Sequence, residues 1–322
     1  MKTVILLILI TVLILVFIGS FRLNWEMTNK EGIDTYGLKV LHHLESPYQT
    51  IDLARDLKTK HISMFLNGAI QNNTKEYEKS HYAMVDISGK LVKSQPKNIL
   101  ILGGGDGYPA MRALKQPGDP YVKNVEIDHV LIDFVKTNPI MRKHTQDAFN
   151  DPKLDLSAMD AYKYIYTEKQ RFDVIVYDIA RTTTNNTAVD FDSHDDHIIK
   201  NLLNNGGVLN YTMDMRGEFK ELIPLYKKYL KLKRGGNKKH HMILIQTEEE
   251  FKRFNKQYPV GINQKLKETY PASEIGIMIY NLDCSCGKYK YAEEVYFYIC
   301  KEPFNKENED IEFYPFENIT SH

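Results

Sequence analysis

The stretch Asn98-Ile99-Leu100-Ile101-Leu102-Gly103-Gly104-Gly105-Asp106-Gly107-Tyr108 decides the fold of this chain. Asn98 to Leu102 is a short apolar run that reads as a strand, Gly103 to Gly107 is a tight turn, and Tyr108 to Lys115 has helical spacing. The pattern repeats downstream. Val122 to Ile127 reads as a second strand, with a helix from His129 to Thr137 stopped by Pro139. Leu154 to Ala158 and Phe172 to Tyr177 are the third and fourth strands, with a short helix from Ala161 to Thr167 between them. Asp195 to Leu203 reads as a helix closed by Asn204, Asn205 and Gly206, and Val208 to Thr212 as a fifth strand. Strands and helices alternating at this spacing predict an α/β domain, Rossmann-like, with a doubly wound and mainly parallel sheet, assigned to 93–245.

Open parallel sheets bind ligands at the carboxyl ends of their strands. A dinucleotide fingerprint would need glycine where Tyr108 stands. The spacing Gly103, Gly105, Gly107 instead suits a nucleoside-type ligand without phosphates. Asp106 inside the turn agrees, since a carboxylate repels a pyrophosphate and attracts an ammonium. The second strand ends in Glu126 and Asp128, where an acid commonly accepts bonds from ribose hydroxyls. The third leads to Asp160, set to accept from an adenine amino group or to cap the helix after it, and the fourth leads to Asp178.

Upstream, Tyr48 to Asp56 and His61 to Ile70 read as two strands joined at Leu57 to Lys60, a small β-hairpin module. Together with a polar connector this module fills 23–92, and Lys79 to Val92 within it is helical in pattern. Val4 to Ile18 is apolar apart from Thr11. As a helix, Val4 to Phe21 would cross most of a ~30 Å hydrocarbon core, so 1–22 reads as an uncleaved transmembrane anchor and the chain as membrane-attached. The competing reading is a cleaved signal peptide. Downstream, Leu222 to Lys233 reads as a helix, and Met242 to Gln246 and Val295 to Cys300 as strands. The region 246–322 is expected to extend the sheet, with Lys301 to His322 a fraying tail.

The formal net charge is zero, so no bulk field draws the chain to nucleic acid. Cys284, Cys286 and Cys300 are too few for a disulfide framework, and the first two are too close for a typical zinc half-site. His194 and His197, at helical spacing, read as surface residues, so no metal site is expected. Asn72, Asn185, Asn210 and Asn318 each head a glycosylation sequon, a match that arises by chance in an asparagine-rich chain.

Several motifs resemble one family. Glu45-Ser46-Pro47-Tyr48-Gln49, Leu66-Asn67-Gly68 with Gln71, Gly103 to Gly107, Val125-Glu126-Ile127-Asp128, Asn138-Pro139, Asp151-Pro152, Asp160-Ala161 and Phe172-Asp173-Val174-Ile175 look like the spermidine synthase (polyamine aminopropyltransferase) family. The spacing is most similar to its membrane-attached branch, and the resemblance covers Glu45 to about Asn210. It implies a β-hairpin module joined to a Rossmann-like domain, often as a homodimer. It also implies aminopropyl transfer from decarboxylated S-adenosylmethionine, a co-substrate rather than a prosthetic group, to a polyamine. Matched by position, Gln49 and Asp106 would hold the amino-propyl and sulfur end, Glu126 the ribose, and Asp160 with Ala161 the adenine.

Two departures stand out. The strand after Phe172 continues Asp178-Ile179-Ala180-Arg181, so Asp178 is kept while Arg181 occupies the family's catalytic acid position. The family's tyrosine-histidine-glutamate run reads His81-Tyr82-Ala83, with Tyr82 the candidate for the tyrosine role. Arginine stays protonated and cannot serve as a base. Asp190, Asp192, Asp195 and Asp196 in the next loop read either as stand-ins for the missing acid or, the favoured reading, as caps and flanks of the following helix. Three functions stay open: an aminopropyltransferase-like enzyme with altered acceptor chemistry, a methyltransferase using intact S-adenosylmethionine, and a catalytically inactive nucleoside-binding protein on a membrane. The acceptor is not legible.

Overall fold

In the computed structural model, the described residues are 37–74, 77–179, 194, 197–214, 240–245, 249–250, 253, 256, 274–279, 294–301 and 303–315. The anchor expected at 1–22 lies outside them, as do Arg181, the loop acids Asp190 to Asp196, Cys284, Cys286 and the helix expected at Leu222 to Lys233. Among the described residues no helix is long and apolar enough to cross a membrane. The chain divides into two compact units at Lys75/Glu76, earlier than the 92/93 boundary expected from sequence.

The first unit holds β1 (Leu38–Glu45), β2 (Thr50–Asp56), β3 (Ile62–Leu66) and β4 (Ala69–Asn73), paired antiparallel in chain order. Ile51, Leu53 and Met64 bury one face of the sheet. Two expectations change here. The segment expected to be a polar connector supplies strand β1, and the single strand expected at His61 to Ile70 is two. Asn67 and Gly68 both take left-handed backbone, at φ 49° and 75°, which makes the two-residue turn of a tight hairpin.

In the second unit the chain starts with a continuous helical stretch. It comprises α1 (Tyr77–His81), a π-helical turn (Tyr82–Ile87) and α2 (Ser88–Leu91). The Ala83 carbonyl in this turn accepts from the Tyr298 hydroxyl at 2.7 Å. Next come β5 (Asn98–Gly103), α3 (Tyr108–Ala113), β6 (Tyr121–Glu126), α4 (His129–Thr137) and α5 (Pro139–His144). They are followed by β7 (Leu154–Ala158), α6 (Ala161–Thr167), β8 (Phe172–Asp178), a π-helical turn (Ile198–Leu202) and β9 (Leu203–Asp214). Pro139 ends one helix and also opens the next at its first turn, where a missing N–H costs nothing.

The sheet runs β13-β10-β11-β12-β9-β8-β5-β6-β7. Strands β9, β8, β5, β6 and β7 are parallel neighbours. Ile99 to Leu102 and Val174 to Val176 are fully buried, as strands covered on both faces require. Chain order reverses beside β5, so the glycine turn opens at the point where a doubly wound sheet leaves a crevice.

The C-terminal region continues the sheet, and its tail departs from expectation. β10 (His240–Ile245), β11 (Glu274–Ile279) and β12 (Glu294–Cys300) extend the sheet antiparallel from β9. β13 (Ile311–Pro315) then pairs parallel to β10. The described part of the stretch expected to fray, which ends at Pro315, is tied down. Phe304 bridges to Val92, Asn305 N–H donates to the Leu91 carbonyl at 2.7 Å, and Asp310 pairs with Lys90. The helix expected to end at Leu203 ends at Leu202, and Asn204 to Gly206 belong to an irregular start of β9. The sequon residues Asn72 and Asn210 are both buried, so neither is open to a glycan.

Candidate functional site

Gly103 fixes the site. Its backbone is left-handed (φ 86°) and in register with Asp178, and a Cβ there would stand 2.2 Å from the Asp178 carbonyl oxygen. Gly105 makes room for a carboxylate, since a Cβ would fall 2.7 Å from Glu126 Oε2 and 2.6 Å from Leu131 Cδ2. The turn closes with Gly107 N–H donating to the Gly104 carbonyl, and Gly107 caps α3.

The sheet carries the candidate acids along one rim. In spatial order β8, β5, β6, β7, the strand ends present Asp178, Asp106, Glu126 and Asp160. Met159 N–H donates to the Glu126 carbonyl at 2.8 Å and holds the last two strand ends in step. Ala161 is buried at the first turn of α6. Gln49 belongs to the first unit, where its backbone N–H and carbonyl both bond Ser46 Oγ in the turn between β1 and β2.

The acids are not equivalent. Asp128 is fully buried and caps α4, accepting from Val130 and Leu131 N–H at 3.1 and 3.2 Å. Asp160 Oδ1 caps α6 through Tyr162 N–H at 2.8 Å, so the cap alternative holds for it as well. Glu126 is buried, and its Oε1 accepts from Asp128 N–H at 2.9 Å. Burial raises its carboxyl above the ordinary range, against N–H donors from Asp128, Ile127 and Gly105 that pull it down. Asp106 Oδ1 accepts from Tyr108 N–H at 3.1 Å, and Oδ2 lies 3.7 Å from His81 Nε2.

His81 was not singled out by sequence as a site residue. Its Nδ1 donates to the Tyr77 carbonyl at 2.6 Å, which leaves Nε2 facing Asp106. Burial lowers its pKa, outweighing Asp106 and the Tyr77 carbonyl, which raise it. Tyr108 packs between, 4.4 Å from the Tyr77 ring and 5.2 Å from the His81 ring. Burial and the nearby Asp106 and Tyr77 push its hydroxyl far up, so it stays protonated. The i, i+4 spacing of Tyr77 and His81 is the signal that would have found this face. Tyr82, one residue on, is turned about 100° around the helix. Its hydroxyl accepts from Lys90 Nζ at 2.9 Å, and Lys90 and Arg112 each lie 5.3 Å from its ring centre.

His197 is engaged at both ring nitrogens, by the Ile165 carbonyl and the Asn201 amide, each at 3.1 Å. His194 Nδ1 bonds the Tyr166 hydroxyl at 2.8 Å. No group of three or more metal-ligating side chains occurs among the described residues.

Residues 78–232 match the family model described as the spermine/spermidine synthase domain. The chain is 31% identical over 173 residues to polyamine aminopropyltransferase 2 of Aquifex aeolicus, covering 54% of this chain and 34% of that one. It is 36% identical over 165 residues to polyamine aminopropyltransferase of Sulfurisphaera tokodaii, covering 49% and 53%. The chain thus spans about a third to a half of the length of these curated relatives. Among solved structures, spermidine synthase from Thermotoga maritima aligns over 87% of this chain and 83% of its own, at TM-score 0.54 and 17% identity. A spermidine synthase in complex with the transition state analogue AdoDATO aligns over the same shares at TM-score 0.55. The central part of the chain, a little under half of it, is spermine/spermidine synthase-like in sequence, and it sits on the fold of the solved spermidine synthases.

Proposed function

We propose that the carboxyl rim of this sheet holds an S-adenosyl sulfonium donor and that the chain is an aminopropyltransferase-like group transferase. One observation carries the reading: Asp106, Glu126 and Asp160 follow three adjacent parallel strands, beside a glycine turn that admits no side chain at 103 or 105. In this reading Glu126 accepts from the ribose hydroxyls, and Asp160 and Ala161 flank the adenine. Asp106 holds the donor's terminal ammonium, consistent with decarboxylated S-adenosylmethionine as the co-substrate. Gln49, in the other unit, is assigned to the same end by the family motif alone.

The transfer needs an amine nitrogen to attack the propyl carbon bonded to sulfur. The carbon–sulfur bond breaks, methylthioadenosine leaves as a neutral thioether, and the attacking nitrogen sheds a proton. Asp178 is the described acid at the end of β8, and Arg181 stands in sequence where the family has its second acid. Two like charges about 4 Å apart cost roughly 1 to 4 kcal/mol across realistic dielectrics, so Arg181 disfavours a polycationic acceptor. It favours an acceptor that carries a carboxylate or phosphate. That same residue supports the second reading, a methyltransferase on intact S-adenosylmethionine. Attachment to a membrane through Val4 to Phe21 is also proposed, and flotation of the full chain with vesicles tests it.

Calorimetric titration of the full chain with decarboxylated S-adenosylmethionine, S-adenosylmethionine and methylthioadenosine separates the readings. The expected result is preference for the decarboxylated donor, lost in Asp106→Asn. Preference for the intact donor would turn the assignment to methyl transfer, and no binding of any of the three would end the nucleoside reading.

A further inference from the structure

The opposite rim of the same sheet carries a second cleft. Arg171 precedes β8, Asn204 and Asn205 lie at the start of β9, and Lys301 follows β12, which runs antiparallel to β9. These residues, with Lys200 and Asp173, line a cavity of about 540 Å³. At about 3.3 Å per residue, the length of β8 separates it from Asp178 and the glycine turn by roughly 20 Å.

Its lining is rich in cations. Three of the lining side chains are cationic, and Asp173 is the single carboxylate among them. Both Asp173 oxygens are already engaged, Oδ1 by Asn204 Nδ2 at 2.8 Å and Oδ2 by the N–H groups of Lys97 and Asn98 at 2.8 and 3.0 Å. Arg171 Nη1 and Lys301 Nζ donate to the same oxygen, the Leu203 carbonyl, at 2.9 and 2.8 Å. Two cations thus converge on one neutral acceptor, and no ion pair to either occurs among the described residues. Burial and the Arg171 charge hold the Lys301 ammonium down at about 8. Convergent donors with a standing repulsion between them are relieved by an anion, and the arginine fork matches a tetrahedral oxyanion bidentately.

We propose that this cleft, formed by Arg171, Lys200, Asn204, Asn205 and Lys301, binds a small phosphate-bearing molecule. The cavity is larger than a bare phosphate, so the phosphate anchors at Arg171 and Lys301 and the rest of the molecule extends past Asn205 and the exposed Lys200. This site is independent of the donor site and of the reaction assigned to it.

The test is calorimetric titration of the full chain at low ionic strength with inorganic phosphate, with sulfate as a tetrahedral anion that does not titrate. Saturable binding is expected, weakened about tenfold or more in Arg171→Gln, as loss of a charge-assisted bidentate contact implies. Sulfate affinity is expected to fall as pH rises through about 8, where Lys301 loses its charge. Lys200→Gln, at an exposed position, is expected to fold and to weaken binding, and it decides the matter alone if Arg171→Gln does not fold. No saturable binding of either anion, or equal affinity in wild type and the folded variants, would overturn the proposal.

Discussion

The two rims of one sheet face opposite chemical tasks. On the carboxyl rim the strands end in Asp178, Asp106, Glu126 and Asp160, around a turn that glycine keeps bare. On the amino rim the cationic lining is Arg171, Lys200 and Lys301, and the one acid, Asp173, is spent on backbone N–H groups and the Asn204 side chain. A parallel sheet sorts chemistry by strand direction, because every strand delivers its C-terminal loop to the same edge. The same residue type therefore does different work at the two ends. Asp178 and Asp173 belong to one strand, five positions apart: Asp178 ends it beside Gly103, while Asp173 staples the start of β5 to β8 and β9.

The contrast can be broken most severely at Gly103. Gly103→Ala is expected to cost about 3 kcal/mol or more, since a Cβ would collide with the Asp178 carbonyl in a left-handed backbone. Denaturant unfolding measures it, and a variant as stable as wild type would mean the two strand ends are not in this contact. On the same rim, Asp106→Asn and Glu126→Gln should leave the fold intact and weaken donor binding by roughly 10- to 100-fold, the range for losing a charged hydrogen-bond acceptor. If both variants keep wild-type affinity by calorimetry, the donor does not sit there.

Asp173→Ala should do the reverse. It is expected to leave donor affinity unchanged and to lower stability by about 1 to 3 kcal/mol, because the Lys97 and Asn98 N–H groups lose their acceptor. Thermal melts followed by circular dichroism would show it, and an unchanged melting temperature would deny Asp173 its structural role.

The smallest effect is one of pH. Burial raises the Glu126 carboxyl, so the folded chain holds that proton more tightly than the unfolded chain. Its contribution to stability is whole below the ordinary carboxyl range and is lost as pH rises through the raised value. Donor binding has the opposite sign, since an ionised Glu126 is the better acceptor for ribose hydroxyls, so affinity should weaken as pH falls through the same window. Glu126→Gln should flatten both profiles, and a donor affinity with unchanged pH dependence in that variant would assign the titration elsewhere.

Much of the parallel half was legible because its signals are local. Four βα repeats announce themselves by apolar runs of strand length, by Pro139 read as the end of a helix, and by acids at strand ends; the short helix that Pro139 also opens was not foreseen. Asn67-Gly68 was equally local and was passed over, which merged β3 and β4 into one strand. The C-terminal strands were legible only in part. β13 is anchored by a bridge from Phe304 to Val92 and by bonds to Lys90 and Leu91, more than two hundred residues away, and no periodicity in a charged tail reports such a partner. His81 was visible as a departure from a motif, but its opposition to Asp106 depends on how α1 is rotated against the glycine turn.

Sequence by itself determined the order of strands and helices in the centre of the chain, the glycine turn, and the acids that follow the strands, since backbone propensity and hydrophobic period act over a few residues. Tertiary structure alone decided which acids are consumed as helix caps, that His81 rather than Tyr82 faces Asp106, that the tail adds a strand, and that Arg171 and Lys301 meet on one carbonyl. Each of those depends on packing between segments far apart in the chain, where side-chain direction and burial are set by the partner and not by the neighbours in sequence.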